Sequence, residues 1–329
     1  MFTNKIILIT GGSGSWGNEL TTQLLEKNPK QIIIYSRGEL AQVKMERKFN
    51  NKKIKFIIGD IRDFDAINFA CKGVDYIYHL AALKHVPVCE NQPQETIKTN
   101  VNGTSNLINA AIHNNVKKFI DVSTDKAVSP SNLYGMSKAI GEKLTIQANK
   151  LSDTTDFVCI RGGNVLGSNG SVVPYFIDQI KTNNFTNVTS DKMTRYFLTL
   201  PEAIKLLFQA TEQSVGGETF VMNMPSFYIK NLAKVIMDFY GDSDTKMNIV
   251  GVREGEKIHE LLISEQESLN TYKLNDDYYI ILPEIETNRN YNNTKKLSKV
   301  DFKVFSSLDN IKTNEYLYRL LMLGGFLKK

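Results

Sequence analysis

Thr124, Asp125 and Lys126 stand together in the chain, and eight residues after Lys126 comes Tyr134-Gly-Met-Ser-Lys138. Tyr134 and Lys138, at i and i+4, share one helix face. A lysine ammonium beside a tyrosine favours the phenolate, so Tyr134 can take a hydroxyl proton near neutral pH. Alone, a Tyr/Lys pair more often marks a solvated helix, and Asp125–Lys126 reads as an exposed ion pair on a loop. A second feature changes the weighting. Thr10-Gly11-Gly12-Ser13-Gly14-Ser15-Trp16-Gly17 follows an apolar run and opens a helix. Gly11 permits a tight turn, Gly14 lets backbone approach a pyrophosphate, and Gly17 allows close helix–strand packing. The free N–H groups of the helix start then face the phosphates. In this setting the turn reads as dinucleotide-binding.

The tip of the second strand points to the cofactor. An acidic residue there would hold the ribose hydroxyls of NAD; this chain has Ser36-Arg37, which suits the extra phosphate of NADP. Gly59-Asp60-Ile61 follows the third strand, where Asp60 can accept from an adenine amino group. Leu80-Ala81-Ala82 follows the fourth, where small residues let backbone lie along a cofactor.

The elements that must position these residues are legible. Lys5–Ile9, Gln31–Tyr35, Ile54–Ile58, Asp75–Leu80 and Lys118–Val122 read as strands. Ser15–Lys27, Glu39–Asn50 and Pro93–His113 read as helices between them. Near-continuous apolar strands separated by helices predict an α/β fold, a doubly wound parallel sheet buried on both faces. After about Arg161 the rhythm changes: glycines cluster at 162, 163, 167 and 170, and the elements shorten. Helices are expected at Pro201–Gln213, Ile229–Tyr240 and Glu256–Ile263, with strands at Thr219–Met222 and Asn248–Val250. With no linker, the second half reads as a smaller lobe packed on the first.

Taken together these features resemble the extended short-chain dehydrogenase/reductase superfamily over nearly the whole chain. Thr-Asp-Lys, with Tyr ten residues after Thr, is similar to the inverting UDP-N-acetylglucosamine 4,6-dehydratases of pseudaminic acid and capsule pathways. Other stretches agree: Tyr35-Ser36-Arg37, Ala81-Ala82-Leu83-Lys84-His85-Val86-Pro87, Lys98-Thr99-Asn100, Gly163-Asn164-Val165, Gly170-Ser171-Val172-Val173-Pro174, Met193-Thr194-Arg195 and Gly251-Val252-Arg253-Glu254-Gly255-Glu256-Lys257.

The resemblance implies an NADP-binding Rossmann domain over residues 1–165 and a mainly sugar-nucleotide-binding lobe over 166–329, some of whose segments return to the first domain. It implies oxidation at carbon 4 with Tyr134 as base and Thr124 bonded to the same oxygen, Lys138 assisting. Lys126 would then take the carbon 5 proton, provided burial or a cation such as Lys84 lowers its pKa. Asp125 would protonate the leaving carbon 6 hydroxyl, provided its own pKa is raised, and hydride would return to carbon 6. It sets Lys84 against cofactor and substrate, Val165 against cofactor, and Thr99, Asn164, Gly170, Ser171, Val172, Arg195, Arg253 and Glu256 against the UDP-sugar. Arginine suits a diphosphate because its fork matches paired oxygens. Four departures touch the sugar and phosphate ends: Gly38, Ala41, Gly162 and Asn169, with Trp16 in place of the usual phenylalanine.

Composition limits the alternatives. Of 329 residues 42% are hydrophobic and 23% charged, and the formal charge is +5, ordinary for a globular chain and too mild to demand nucleic acid. Three cysteines give no disulfide framework, and four scattered histidines with them give no metal-ligand spacing. His79, inside an apolar strand, reads as a core histidine. No apolar run approaches a membrane span, and the start has no signal-peptide layout, so a cytoplasmic protein is expected, with a homo-oligomer implied by the resemblance. The apolar tail Leu320–Phe326 should pack on the body or on another subunit. Two competing readings stay open: a UDP-sugar 4-epimerase, which would need Tyr134, Lys138 and Thr124 but not Asp125–Lys126, and a non-catalytic NADP-binding regulator, which needs none of them.

Overall fold

Isoleucine-rich runs build the centre of the sheet. In the computed structural model, which describes residues 1–167 and 171–328, β1 (Ile6–Thr10), β2 (Gln31–Ser36), β3 (Ile54–Ile58), β4 (Tyr76–His79), β5 (Lys118–Thr124) and β6 (Asp156–Gly162) lie parallel in the order 3-2-1-4-5-6. Helices α1 (Ser15–Glu26), α2 (Glu39–Phe49), α3 (Phe64–Ala70), α4 (Val86–Asn91), α5 (Pro93–Thr96), α6 (Gly103–His113) and α7 (Leu133–Gln147) link them. Both faces are covered: Ile7, Ile9, Ile32 and Ile34 pack into one core and Leu8, Ile33, Ile77 and Phe119 into another.

The second half both extends this sheet and makes a separate lobe. After β7 (Asn164–Val165) and α8 (Val172–Asn183) come β8 (Phe185–Val188), β9 (Thr194–Leu198), α9 (Leu200–Gln213) and β10 (Thr219–Met222). β10 pairs parallel with β6, and β15 (Tyr278–Ile281) and β14 (Thr271–Lys273) continue the sheet antiparallel to nine strands. The lobe is built by β7 and β9 with β11 (Ser226–Tyr228), by α10 (Ile229–Tyr240), and by β8 paired with β12 (Lys246–Ile249). Strand β13 (Leu261–Ile263) pairs with β16 (Phe305–Ser306). The tail residue Phe326 packs in a third core with α8 and α10 residues. Among the described residues no helix is long and apolar enough to cross a membrane.

Two expected elements differ, and strand β6 was not among those expected. Residues 93–113 are not one regular helix: a π-helical turn, Ile97–Asn102, separates α5 from α6. Residues 256–260 are not helical, and 261–263 are strand. Gly255 sits at φ +75, and the Arg195 guanidinium takes the carbonyls of Lys257 and Ile258, so the segment's polar groups are spent on β9 rather than on helix bonds. Strand β6 was hidden by Arg161, whose buried guanidinium is held by Glu142 and Glu267.

His79 is a core residue with both ring nitrogens engaged, 2.8 Å from Thr10 Oγ1 and 3.0 Å from Thr104 Oγ1. Burial pushes its pKa down to about 4, against a smaller upward pull from Asp121. The unfolded chain, with a histidine near 6.5, therefore binds this proton more readily. The stabilisation is fully present above pH 6.5 and is lost as pH falls from 6.5 towards 4, reaching roughly 3 kcal/mol. Urea unfolding across that range should show the loss, and His79→Asn should flatten it; equal slopes in both proteins would remove His79 as the cause.

Candidate active site

A cleft of about 950 Å³ runs along the carboxyl ends of the sheet strands to the second lobe. Its wall takes in every predicted catalytic, cofactor-binding and substrate-binding residue except four. Thr10, Gly17 and Asp125 lie beneath it, and Gly170 falls outside the described residues, as does Asn169.

At one end is the glycine turn. Gly11 has φ +64, and a Cβ there would lie 2.9 Å from the Ala81 backbone, so the turn and the segment after β4 meet only through glycine. A Cβ at Gly17 would strike the Gly12 carbonyl. Gly14 caps α1 with no side-chain bond, and the N-terminus of this twelve-residue helix faces the cleft. Ser36 Oγ lies 2.9 Å from Ser13 Oγ and accepts from Gln42, whose amide also reaches the carbonyls of Ser36 and Ile57. Arg37 is exposed and stands 3.8 Å from Asp60. Burial pushes the Asp60 carboxyl up, but hydrogen bonds and charge from Arg62, with help from Arg37, hold it below its ordinary value. Both Asp60 oxygens already accept from Arg62. The glycine cradle and the helix N-terminus beside it fit a dinucleotide. The Trp16 ring lies over Gly162, 3.7 Å from where a Cβ would be, so the indole occupies the space that a larger residue at 162 would share.

The reactive groups sit where β5 ends. Thr124 Oγ1 donates to Asp125 Oδ1 at 2.9 Å, and Lys126 Nζ donates to the same oxygen at 2.9 Å. Asp125 is fully buried, and its Oδ2 makes no hydrogen bond. Asn132 caps α7 by accepting from the Gly135 N–H, which fixes the turn carrying Tyr134 and Lys138. Burial pushes the Tyr134 phenol up; Lys138, Lys126 and a hydrogen bond from Thr124 pull it down, and burial wins. Lys126 does not meet the condition that the sequence reading set for it. Burial does push its pKa down, but Asp125 and Glu260 outweigh burial and raise it above the ordinary lysine value.

The lobe side supplies the remaining predicted residues. Asn164 Oδ1 accepts from Lys126 Nζ at 3.4 Å. Thr99 Oγ1, Ser123 Oγ and Ser171 Oγ line the cleft, are buried and have no hydrogen-bond partner among the described residues, as expected of groups that a polar ligand would satisfy. Burial lowers the Lys84 pKa. Arg253 is exposed and lies 3.9 Å from Glu256. Arg195, by contrast, is buried, and its guanidinium is largely committed to the backbone of residues 194, 257 and 258.

Three residues of the site went unassigned in the sequence. Asp121, fully buried in β5, accepts from Lys138 Nζ at 3.0 Å. Its signal was a charge inside the apolar run Lys118–Val122. Asn100 exchanges two hydrogen bonds of 2.8 Å with the Leu83 backbone and donates to Ser137, tying the loop after β4 to α7. Glu260, 2% exposed, lies 3.6 Å from Lys126 and 3.7 Å from Arg195; no local pattern marked it.

The chain is 43% identical over 290 residues to an inverting UDP-N-acetylglucosamine 4,6-dehydratase of Campylobacter jejuni, spanning 87% of this chain and 85% of that one. It is 44% identical over 286 residues to a UDP-glucose 4-epimerase of Rickettsia bellii, spanning 85% and 84%. The X-ray structure of Pen from Bacillus thuringiensis superposes with a TM-score of 0.92 at 37% identity, over 99% of this chain and all of that one. Residues 7–282 match the family described as polysaccharide biosynthesis protein. With that match, the nucleotide-cradling turn and the Tyr134/Lys138 helix on one doubly wound sheet, the chain belongs to the polysaccharide biosynthesis protein family of extended short-chain dehydrogenase/reductases.

Proposed function

We propose that the chain is an NADP-dependent UDP-N-acetylglucosamine 4,6-dehydratase that inverts carbon 5. The observation that carries this reading is the Asp125–Lys126 pair set beside Tyr134, its carboxylate buried and its amine on the cleft wall, because an elimination needs an acid and an amine that a 4-epimerisation does not. A nicotinamide bound along the glycine turn would accept hydride from carbon 4 and return it to carbon 6.

The chain's own groups then divide the proton work. Tyr134 takes the carbon 4 hydroxyl proton, with Thr124 bonded to the same oxygen. Lys138 supports the phenolate by its charge. For the elimination, the proton on Lys126 Nζ passes along the 2.9 Å bond to Asp125 Oδ1, which leaves an amine and a carboxylic acid. The amine takes the carbon 5 proton and the acid protonates the carbon 6 hydroxyl, which departs as water. The pair returns to ammonium and carboxylate with no net change in charge; hydride addition at carbon 6 would be matched by a solvent-derived proton added to the opposite face of carbon 5, and Tyr134 would give up in exchange the proton it took from the carbon 4 hydroxyl.

The test is incubation with UDP-N-acetylglucosamine in deuterated water, with NMR of the product. The expected product is a 4-keto-6-deoxy sugar nucleotide with deuterium and inverted configuration at carbon 5. Formation of the 4-epimer alone would favour the second reading, which the Rickettsia relative's name keeps in view.

The NADP preference rests on Arg37 at the tip of β2, exposed and beside Asp60. Arg37→Asp should weaken NADP binding by about tenfold or more, roughly one charged hydrogen bond, and leave NAD binding little changed. Calorimetry with both cofactors checks it; equal NAD and NADP affinity in the unaltered protein would refute this reading of the strand tip.

A further inference from the structure

Glu260 is buried at the far side of Lys126 from Asp125. Its carboxylate has three cations just outside hydrogen-bond reach: Lys126 Nζ at 3.6 Å, Arg195 Nε at 3.7 Å and Lys257 Nζ at 3.8 Å. Its Oε2 makes no hydrogen bond among the described residues. The backbone around it is bolted down. Ser307 Oγ accepts from the Glu260 N–H at 3.0 Å, the Ser307 N–H donates to the Glu260 carbonyl at 2.8 Å, and Lys257 Nζ donates to the Val128 carbonyl at 2.6 Å. A buried anion held this firmly among cations, yet bonded to none of them, acts through its field.

We propose that Glu260 is a positioning residue for Lys126: it holds the lysine in the cleft as an ammonium and so sets how much free amine the site can supply. The proposal rests on the dehydratase reading only for its catalytic consequence. The proton shift it governs is balanced within the pair: an N–H bond of Lys126 breaks, an O–H bond of Asp125 forms, and Glu260 keeps its charge throughout. Lys126 faces Asp125 from its own segment, Arg195 from β9, Tyr134 from α7, and Lys257 and Glu260 from the loop before β13. Glu260 faces the three cations and Tyr196. Of these groups, Asp125 and Glu260 favour the ammonium. Asp125 is consumed as the proton acceptor, which leaves Glu260 as the standing charge that opposes the shift.

The direct test needs neither cofactor nor substrate. Lys126 lines the cleft with its side chain 19% exposed, so a small acylating reagent can reach it. Trace labelling with acetic anhydride, read by peptide mass spectrometry as the ratio of Lys126 to Lys84, reports the fraction of free amine. E260Q should raise that ratio at fixed pH by about tenfold or more, one pKa unit being a factor of ten. E260D keeps the charge and should stay near the unaltered protein. K257Q, which removes a cation that offsets Glu260, should lower the ratio. An unchanged ratio in folded E260Q overturns the proposal. Should E260Q not fold, an unchanged or raised ratio in K257Q overturns it instead. The catalytic consequence is separate: the rise of turnover with pH should move to lower pH in E260Q. If the labelling changes and that rise stays put, Glu260 acts on Lys126 as inferred, and it is the assignment of Lys126 as base that fails.

Discussion

Lys126→Ala should pass hydride from the sugar to the cofactor and then stop. Tyr134, Thr124 and Lys138 remain to carry the first oxidation, but no amine is left beside carbon 5. Mixed with UDP-N-acetylglucosamine, this variant should build up the near-ultraviolet absorbance of reduced nicotinamide, and its yield of 6-deoxy-4-keto product should fall by a factor on the order of 10² to 10⁴, the usual contribution of a general base. Tyr134→Phe should show neither signal, because the first proton has nowhere to go. A product assay alone would call both proteins dead; the absorbance separates them. Loss of the Lys126 charge also takes away one of the interactions that lower the Tyr134 phenol, so the rate of the absorbance rise in Lys126→Ala should need a higher pH. Product at a near-normal rate from Lys126→Ala would remove the amine from the mechanism and with it the main chemical support for a dehydratase.

Asp121→Ala should cost the fold about 3–5 kcal/mol, because it strands a buried ammonium. The Lys138 amine and the Asp121 carboxylate are each at most 4% exposed and lie 3.0 Å apart. Burial pushes the Lys138 pKa down; Asp121, with help from Tyr134, more than reverses that. The double variant Asp121→Leu/Lys138→Met replaces both charges with apolar groups and should recover most of the loss, since a well-packed apolar pair is often as stable as a buried ion pair. Chemical denaturation of the single and double variants measures this coupling. The recovered fold should not recover activity, as the charge beside Tyr134 is gone. Equal stability of Asp121→Ala and the unaltered protein would mean that Lys138 has another counter-charge.

The residues tied to chain-local patterns were readable in the sequence, and those tied to distant contacts were not. The strand–glycine–helix opening needs only neighbours, so β1, the turn and α1 came out at the expected places, as did the parallel core of the sheet. The Tyr134/Lys138 pairing follows from helix spacing alone. Glu260 reaches Lys126 from 134 positions away, through a loop whose shape depends on Arg195 and Ser307. Its setting could not be read from residues 256–263, whose composition suggested a helix. For the same reason the condition set on Lys126, a pKa lowered by burial or by a neighbouring cation, is not met in the resting site: burial was foreseeable, but the second anion was not. Arg161 hid β6 because a charge inside a strand reads as an end unless its buried partners, Glu142 and Glu267, are known. Trp16 and Gly162 looked like two unrelated departures, and the fold brings them into contact.

The π-helical turn at Ile97–Asn102 has a consequence for how relatives of this chain should be aligned and edited. Such a turn accommodates one residue more than regular winding would, so it acts as a phase slip between α5 and α6. Removing any one residue within it would let the helix close to even winding and rotate everything upstream by about 100° relative to everything downstream. Thr99 would then leave the cleft or Asn100 would release Leu83, although each catalytic side chain would still be present in the sequence. A homologue with a single-residue gap at this point would keep every motif and lack the site, and motif counting would never reveal it.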